Sequence, residues 1–591
     1  MKKQSDLSRL LGYAGPYKVL TIASWLISAV SALVALLPYI YIWRLIREVL
    51  EVAPNFSQAQ NLAHNGWMAV LFAVASMLIY IGGLLCSHLA AFRVQTNIRS
   101  ACMHHIVTLS MGLMDGVGSG KIRKTVNECS AATETYLAHQ LPDKAGAIAT
   151  PVGLLIMLVA FDWRLGLLSL VPIVAAFAIM ASMTGAKMKG KMAQYQNSLD
   201  DMSNEAVEYV RGIPVVKTFG QSVFSFKKFK AAIDNYQKWV ISYTKDLRAP
   251  MMLYTTAINA VFAVLIAAAL FFTADGVTNT FLLNLLFYII ITPIITVTLT
   301  KIMYSSENEM IVSDAITRID SILETRPLPE PVSSQSPKNN SVELKNVCFR
   351  YPDAKVNALD GVSLSIASGE HIALVGPSGG GKTTLASIIA RFWDVTAGSV
   401  KIGGVDVKTI KKAELMNHVS FVFQDSKLLK TSIFENVRMA KPSATREEVL
   451  KALRDSQCDD IIEKLPDGID TVIGAKGVYL SGGEQQRISI ARVMLKDTPI
   501  LILDEATAFA DPDNEAKVQA AFAQLSMGKT VIMIAHRLST VTGADHIYVV
   551  KEGKIVEGGS HEEMSQENGL YKEMWREYNS AAQWKVGAAH A

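Results

Sequence analysis

The sequence predicts two domains of different physics: an α-helical membrane domain of six spans with long cytosolic extensions, fused to a soluble α/β domain. Three observations predict it. Half of the 591 residues are hydrophobic and only 19% are charged, with a positive mean hydropathy, whereas a soluble chain of this length needs more charged surface. Long apolar runs fill the part before residue 325. After it come short strand-like runs, glycine turns and ordinary soluble helices. The net charge of +4 is too small to argue for a nucleic-acid partner. The five cysteines (Cys86, Cys102, Cys129, Cys348 and Cys458) are scattered without CxxC spacing, which argues against a disulfide framework or a zinc site. The first apolar run, starting near Val19, is too long for a signal peptide and lacks a small-residue cleavage site.

Six apolar runs, near 18–43, 66–91, 139–161, 163–184, 250–273 and 280–301, each approach the roughly 20 residues that cross a bilayer at about 1.5 Å per residue. Only Phe161, Asp162, Trp163 and Arg164 separate the third from the fourth, so these two form a tight hairpin. Pro172 and Pro293 lie inside spans and are candidate kinks. Lys and Arg set the orientation. They crowd the N-terminus (Lys2, Lys3, Arg9, Lys18) and the second and fourth connections, and are missing from 274–279. Arg44 and Arg47 in the first external loop are a mild exception. Both termini and the even connections are therefore cytosolic, and those long connections continue the membrane helices into the cytosol. The stretch 326–340 (RPLPEPVSSQSPKNN) cannot sustain a helix and reads as a linker. The domains are thus 1–325 (membrane), 326–340 (linker) and 341–591 (soluble).

The soluble half carries the chemistry. A buried-strand run, 372–375, leads into GPSGGGKTT at 376–384 and then a helical stretch. This is the strand-to-helix setting that a phosphate-binding P-loop requires. Gly376, Ser378, Gly379, Gly380 and Gly381 let backbone N–H groups wrap phosphates, and the helix N-terminus adds positive potential. Lys382 supplies a charge to the β- and γ-phosphates, Thr383 offers a hydroxyl to Mg²⁺, and Thr384 closes the motif. A second strand, 499–503, ends in Asp504 and Glu505. Asp504 is placed to hold Mg²⁺ and Glu505 to polarise an attacking water. Adjacent acids at a strand end mean little alone; at this distance behind a P-loop they become a strong signal.

The segment LSGGEQQR at 480–487 resembles the signature motif of the ABC ATPase family. The resemblance implies that Ser481, Gly482 and Gly483, at a helix start, bind the γ-phosphate held by the P-loop of a second ATPase domain. It extends over nearly the whole chain. Tyr351 matches the aromatic that stacks on adenine, and Gln424 the glutamine that contacts Mg²⁺ and senses the membrane domain. Asp511 matches the D-loop aspartate and His536 the switch histidine at the γ-phosphate. The implied cofactors are ATP and Mg²⁺. The catalytic set is Glu505, His536, Gln424 and Lys382, and the metal set Thr383, Gln424 and Asp504.

The membrane half looks like the six-helix exporter fold (type IV). Residues 5–17 resemble its elbow helix, 113–120 its first coupling region and 208–219 its second. Three departures stand out: Ala475 before the signature, Ala508-Phe509-Ala510 in the D-loop, and 426–429 after the Q-loop. Together they resemble the subgroup whose better-known members import ferric siderophores of the mycobactin and yersiniabactin kind. The reading is an integral plasma (inner) membrane half-transporter with a cytosolic ATPase. It pairs with itself or a paralogue, contacts membrane lipid, carries a small molecule, and leans to uptake of a ferric siderophore or metal chelate. An exporter of drugs, lipids or peptides is the alternative; an ATP-gated or regulatory ABC protein is the second. The fused membrane helices exclude a soluble ABC ATPase. His88, Asn259 and Asn284 are polar within apolar runs, facing either a cavity or a neighbouring helix.

Overall fold

The computed structural model describes residues 5–117, 119–183, 186–218, 227–273, 276–352, 354–424, 427–474, 478–504, 512–535 and 537–587. The chain gathers into two compact units, Met1–Ile106 with Ser119–Thr325, and Val107–Gly118 with Arg326–Ala591.

Among the described residues, six helices are long and apolar enough to cross a membrane, and each carries one predicted span. Ser5 caps a short leading helix, Asp6–Ala14, by accepting the Ser8 N–H at 3.3 Å. The first span is broken into Lys18–Val34 and Leu37–Val52. Pro38, in the first turn of the second piece, explains the break, because proline has no N–H to donate to the preceding turn. Pro151, Pro172, Pro250 and Pro293, by contrast, sit inside continuous helices. The second, fifth and sixth helices (Leu62–Thr108, Lys227–Phe272 and Asn279–Leu323) have 45 to 47 residues. At 1.5 Å per residue each is about 70 Å long, more than twice the hydrocarbon thickness.

The hairpin between the third and fourth helices turns on Asp162, whose carboxylate accepts the Arg164 N–H at 3.0 Å. Gly166 lets the two helices of the hairpin close, since a Cβ there would lie 2.4 Å from the Leu158 carbonyl oxygen. The fourth helix packs along the fifth, the first along the third, and the third against the sixth. Tyr254 and Tyr288 are buried in this core. Each donates its hydroxyl to a backbone carbonyl outside its own helix, Tyr254 to Leu299 of the sixth helix at 2.7 Å and Tyr288 to Asp162 of the hairpin turn at 2.8 Å. Two π-helical turns, Thr125–Cys129 and Tyr136–Gln140, interrupt the third helix. Apolar periodicity gives no warning of either. On the cytosolic extensions Asp200 accepts both Lys124 (2.5 Å) and Arg318 (2.8 Å), tying three helices together.

The second unit is built on two sheets. Its strands are β1 (Val342–Phe349), β2 (Leu359–Ile366), β3 (His371–Val375), β4 (Ala397–Ile402), β5 (Val405–Asp406), β6 (Val419–Val422), β7 (Ile500–Asp504), β8 (Thr530–Ile534), β9 (His546–Lys551) and β10 (Lys554–Gly559). An antiparallel sheet runs β2-β1-β4-β5, and a six-stranded sheet runs β10-β9-β3-β8-β7-β6. The latter is parallel from β9 to β6. Its β7 is buried at every residue, as a parallel strand covered on both faces must be. The main core joins both sheets to the helix Lys382–Ile389. A separate core serves the helical part around Arg446–Asp455 and Gly482–Lys496.

The stretch read as a linker is not helical, and it lies along this unit as a strap. Arg391 donates to the Pro329 carbonyl (2.6 Å), the Gln335 N–H to the Thr409 carbonyl (3.1 Å), and the Lys411 N–H to Ser334 Oγ (2.9 Å). The same unit takes in Val107–Gly118, which overlaps the first predicted coupling region. Lys412 Nζ donates to the Leu109 carbonyl at 3.2 Å. Gly112 lies so close to Trp393 that a Cβ would fall 2.1 Å from the indole nitrogen. The second predicted coupling region falls on the helix Ala186–Thr218; its residue 219 lies outside the described residues.

Candidate functional site

The β3 strand ends at Val375 and the next helix begins at Lys382, so the intervening loop is forced to turn within six residues. Glycine makes that possible. Gly376 has φ 136° and Gly381 φ 107°, conformations that L side chains rarely adopt. Space excludes a side chain as well: a Cβ on Gly376 or Gly380 would lie 2.2 or 2.5 Å from the Val550 carbonyl oxygen on β9. The result is a cradle of backbone amides at a helix N-terminus. Lys382 is only 5% exposed. Its ammonium donates to the Gly376 and Pro377 carbonyls at 2.9 and 3.0 Å, which holds it over the loop.

A cavity of about 1090 Å³ opens beside this loop, ample for a ligand of nucleotide size. Tyr351, Ser378, Gly379, Gly380, Gly381, Lys382, Thr383, Thr384, Gln424 and Asp504 all line it. Residues from β7, from the turn after β6, from the P-loop and from the end of β1 therefore meet at one place. Asp504, the last residue of β7, is 8% exposed. The Tyr351 hydroxyl lies 3.0 Å from that of Thr384, and its ring stands edge-on to Phe349 and Trp393. Thr383, Gln424 and Asp504 present oxygen donors, the kind a hard cation such as Mg²⁺ takes.

Ser481, Gly482 and Gly483 do not line this cavity. Ser481 caps the helix Gly482–Lys496 through a reciprocal pair of bonds with Glu484: its Oγ accepts the Glu484 N–H, and its own N–H donates to the Glu484 carboxylate. The carboxylate at the helix start and the two glycines keep this terminus compact. Glu505, Asp511 and His536 lie outside the described residues, as do Ala475, Ser426 and Ala508-Phe509-Ala510.

Three positions without a role in the sequence reading prove structural. Asn436 is fully buried and clamps the segment after the Q-loop, taking the Leu429 N–H and donating to the Leu429, Thr431 and Ser432 carbonyls. Arg487, the last residue of the signature segment, is also fully buried; it pairs with Asp460 at 2.6 Å, and Lys517 reaches the same carboxylate at 2.7 Å. Desolvation pushes the Asp460 carboxyl up, but hydrogen bonds from Arg487 and Lys517 outweigh it and hold it at about 2. Because its pKa is depressed on folding, Asp460 stabilises the fold above the unfolded carboxylate value of about 3.9, and that contribution is lost as pH falls toward 2. Asp460→Ala leaves the buried Arg487 guanidinium without its counter-charge. It is expected to lower the local stability of the signature helix by about 3 kcal/mol, seen as faster native-state hydrogen exchange across Gly482–Lys496.

In the membrane unit, Asn284 accepts from the Trp43 indole (3.2 Å) and donates to the Phe161 carbonyl (3.0 Å), so it joins helices. Asn259 bonds the Thr255 carbonyl of its own helix. The His88 ring stands edge-on to His139.

Comparisons with known proteins agree with this geometry. Residues 359–508 match the family described as ABC transporter, and residues 21–300 match the ABC transporter transmembrane region. The chain is 35% identical over 95% of its length to a mycobactin import ATP-binding/permease protein, IrtA, of Mycolicibacterium smegmatis. It is 30% identical over 95% of its length to an ATP-dependent lipid A-core flippase of Pseudomonas fluorescens, covering 94% of that protein. A solved bacterial Atm1-family ABC exporter with ATP bound superposes with a TM-score of 0.74 at 23% identity, covering 95% of this chain and 98% of the other. A P-loop unit in one chain with six candidate membrane-spanning helices defines an ABC-type membrane protein, and the chain belongs to the ABC transporter family. It is an integral multi-pass protein of the inner membrane with its ATPase unit in the cytosol. The chain spans 64% of the length of the M. smegmatis IrtA.

Proposed function

We propose that this chain is a half-transporter: paired with a second half, itself or a paralogue, it binds ATP and Mg²⁺ and couples hydrolysis to uptake of a ferric siderophore or similar metal chelate. The domain division is 1–325, 326–340 and 341–591. The observation that carries the ATP reading is the convergence of the P-loop, Gln424 and Asp504 on one cavity. Lys382 neutralises charge on the β- and γ-phosphates, and the loop amides orient them. Thr383, Gln424 and Asp504 would hold Mg²⁺, which when bound offsets phosphate charge. Glu505, next in sequence to Asp504, polarises the attacking water, and His536 contacts the γ-phosphate. Asp511 belongs to the D-loop facing the partner. Tyr351 stacks on adenine. Ser481, Gly482 and Gly483 complete the site of the partner chain, in keeping with a lining of their own P-loop cavity that does not include them.

Direction and substrate rest on the similarity to mycobactin importers along 95% of the chain and on the departures at Ala475, 426–429 and Ala508-Phe509-Ala510. The lipid A-core flippase relative, matched over 94% of its length, supports export of a lipid or drug as the second reading. The two are separated in sealed vesicles with ATP only on the ATPase side. Uptake predicts accumulation of a labelled ferric chelate on that side. Depletion of lipids or drugs from that side, with chelates neither moving nor stimulating hydrolysis, overturns it.

A further inference from the structure

A second cavity, of about 470 Å³, lies inside the membrane unit among the first, second, third and sixth helices. Its wall mixes apolar side chains (Met77, Ile294, Val297) with Tyr80, Asp143 and Lys301. A carboxylate on a membrane helix is expensive unless something offsets its charge, and such residues mark ligand or ion paths. Asp143 accepts the Tyr80 hydroxyl at 2.9 Å, and among the described residues no ion pair of Asp143 is seen. The next residue, Lys144, behaves differently: it is paired with Glu309 of the sixth helix. The third helix thus neutralises one charge internally and leaves its neighbour lining a cavity.

We propose that this cavity binds the polar head of an amphiphilic ligand through Asp143, Tyr80 and Lys301. The chemistry fixes the class of head. An ionised carboxylate only accepts hydrogen bonds and an ammonium only donates them. The ligand must therefore offer a cationic or hydrogen-bond-donating group to Asp143 and an anionic or accepting group to Lys301. Met77 and Val297, both more than half exposed, receive its hydrocarbon part. The volume suits a head of drug size rather than a whole lipid. The site needs only that a solute passes these helices, so it rests on the transport reading; a ferric chelate with an acyl chain is one member of the class and a zwitterionic alkyl amphiphile another.

The test uses the full-length transporter with its partner in lipid vesicles. ATP hydrolysis and equilibrium binding are titrated with two probes, an acylated ferric hydroxamate and a zwitterionic alkyl betaine. Asp143→Asn and Lys301→Gln should each raise the half-saturating concentration of any probe that acts on the wild type by about 10-fold, the range expected for loss of one charge-assisted hydrogen bond. Tyr80→Phe should raise it less, and Asn259→Ala, whose amide serves its own helix, should leave it unchanged. Response to the betaine alone, lost in the Asp143 variant, upholds the cavity while removing the chelate from the proposed function. Unaltered half-saturating concentrations in the Asp143 and Lys301 variants overturn the cavity assignment and leave the chelate reading standing. Binding of neither probe to the wild type also overturns it.

Discussion

Replacing Glu505 by Gln is expected to lower ATP turnover by about 10²-fold or more, the scale of a lost catalytic base, while ATP still binds. The strand β7 (Ile500–Asp504) leads to this position. Its five residues are all buried, so the strand is rigid and its end is a fixed point. Asp504 closes the strand at the cavity wall, and Glu505 is the next residue in the sequence. A carboxylate there orients and polarises water, whereas the amide of Gln keeps the size and hydrogen bonding but loses the charge. Retained nucleotide binding with turnover cut by two orders of magnitude is the expected pair of measurements. Turnover equal to wild type would remove Glu505 from the mechanism.

The second large effect concerns the division of the site between chains. Ser481→Arg should lower turnover by about 10²- to 10³-fold, as removal of donors to a developing phosphate charge does. Lys382→Ala should do the same by removing the charge at the P-loop. If each composite site takes its P-loop from one chain and its signature from the other, a dimer of one Ser481→Arg chain and one Lys382→Ala chain has one doubly damaged site and one intact site. Mixed dimers should therefore recover turnover that neither variant has alone. If both motifs act within one chain, both sites of the mixed dimer are dead and no recovery occurs.

Much of the architecture was legible because the signals are local. A bilayer demands about 20 apolar residues in succession, so six spans can be counted without knowing how they pack. The P-loop is equally local, since glycine at positive φ and lysine at a helix start must be near in sequence to act together. Signals that depend on distant partners were not legible. Asn284 offered a cavity or a helix contact with equal claim, and only packing against Trp43 and Phe161 assigned it to contact. Asp143 carries no mark in the sequence, since it sits at the polar start of an apolar run. Its pairing with Tyr80, 63 residues away, is what gives it interest. The π-helical turns have no compositional mark at all.

The sequence by itself determined the order of the parts: six apolar spans, a stretch unable to form helix, and a strand–loop–helix cradle for phosphate. Hydrophobic run length, proline and glycine act through the chain's immediate geometry, so no partner is needed to read them. Tertiary structure decided which of the marked residues share a cavity. It gathered Tyr351, Lys382, Gln424 and Asp504, which span more than 150 positions, on one wall, and kept Ser481 apart on its own capped helix. It also turned Arg487 from a motif letter into the buried cation that holds Asp460. Sheet order and helix packing bring such residues together, and neither is written in any single stretch of the chain.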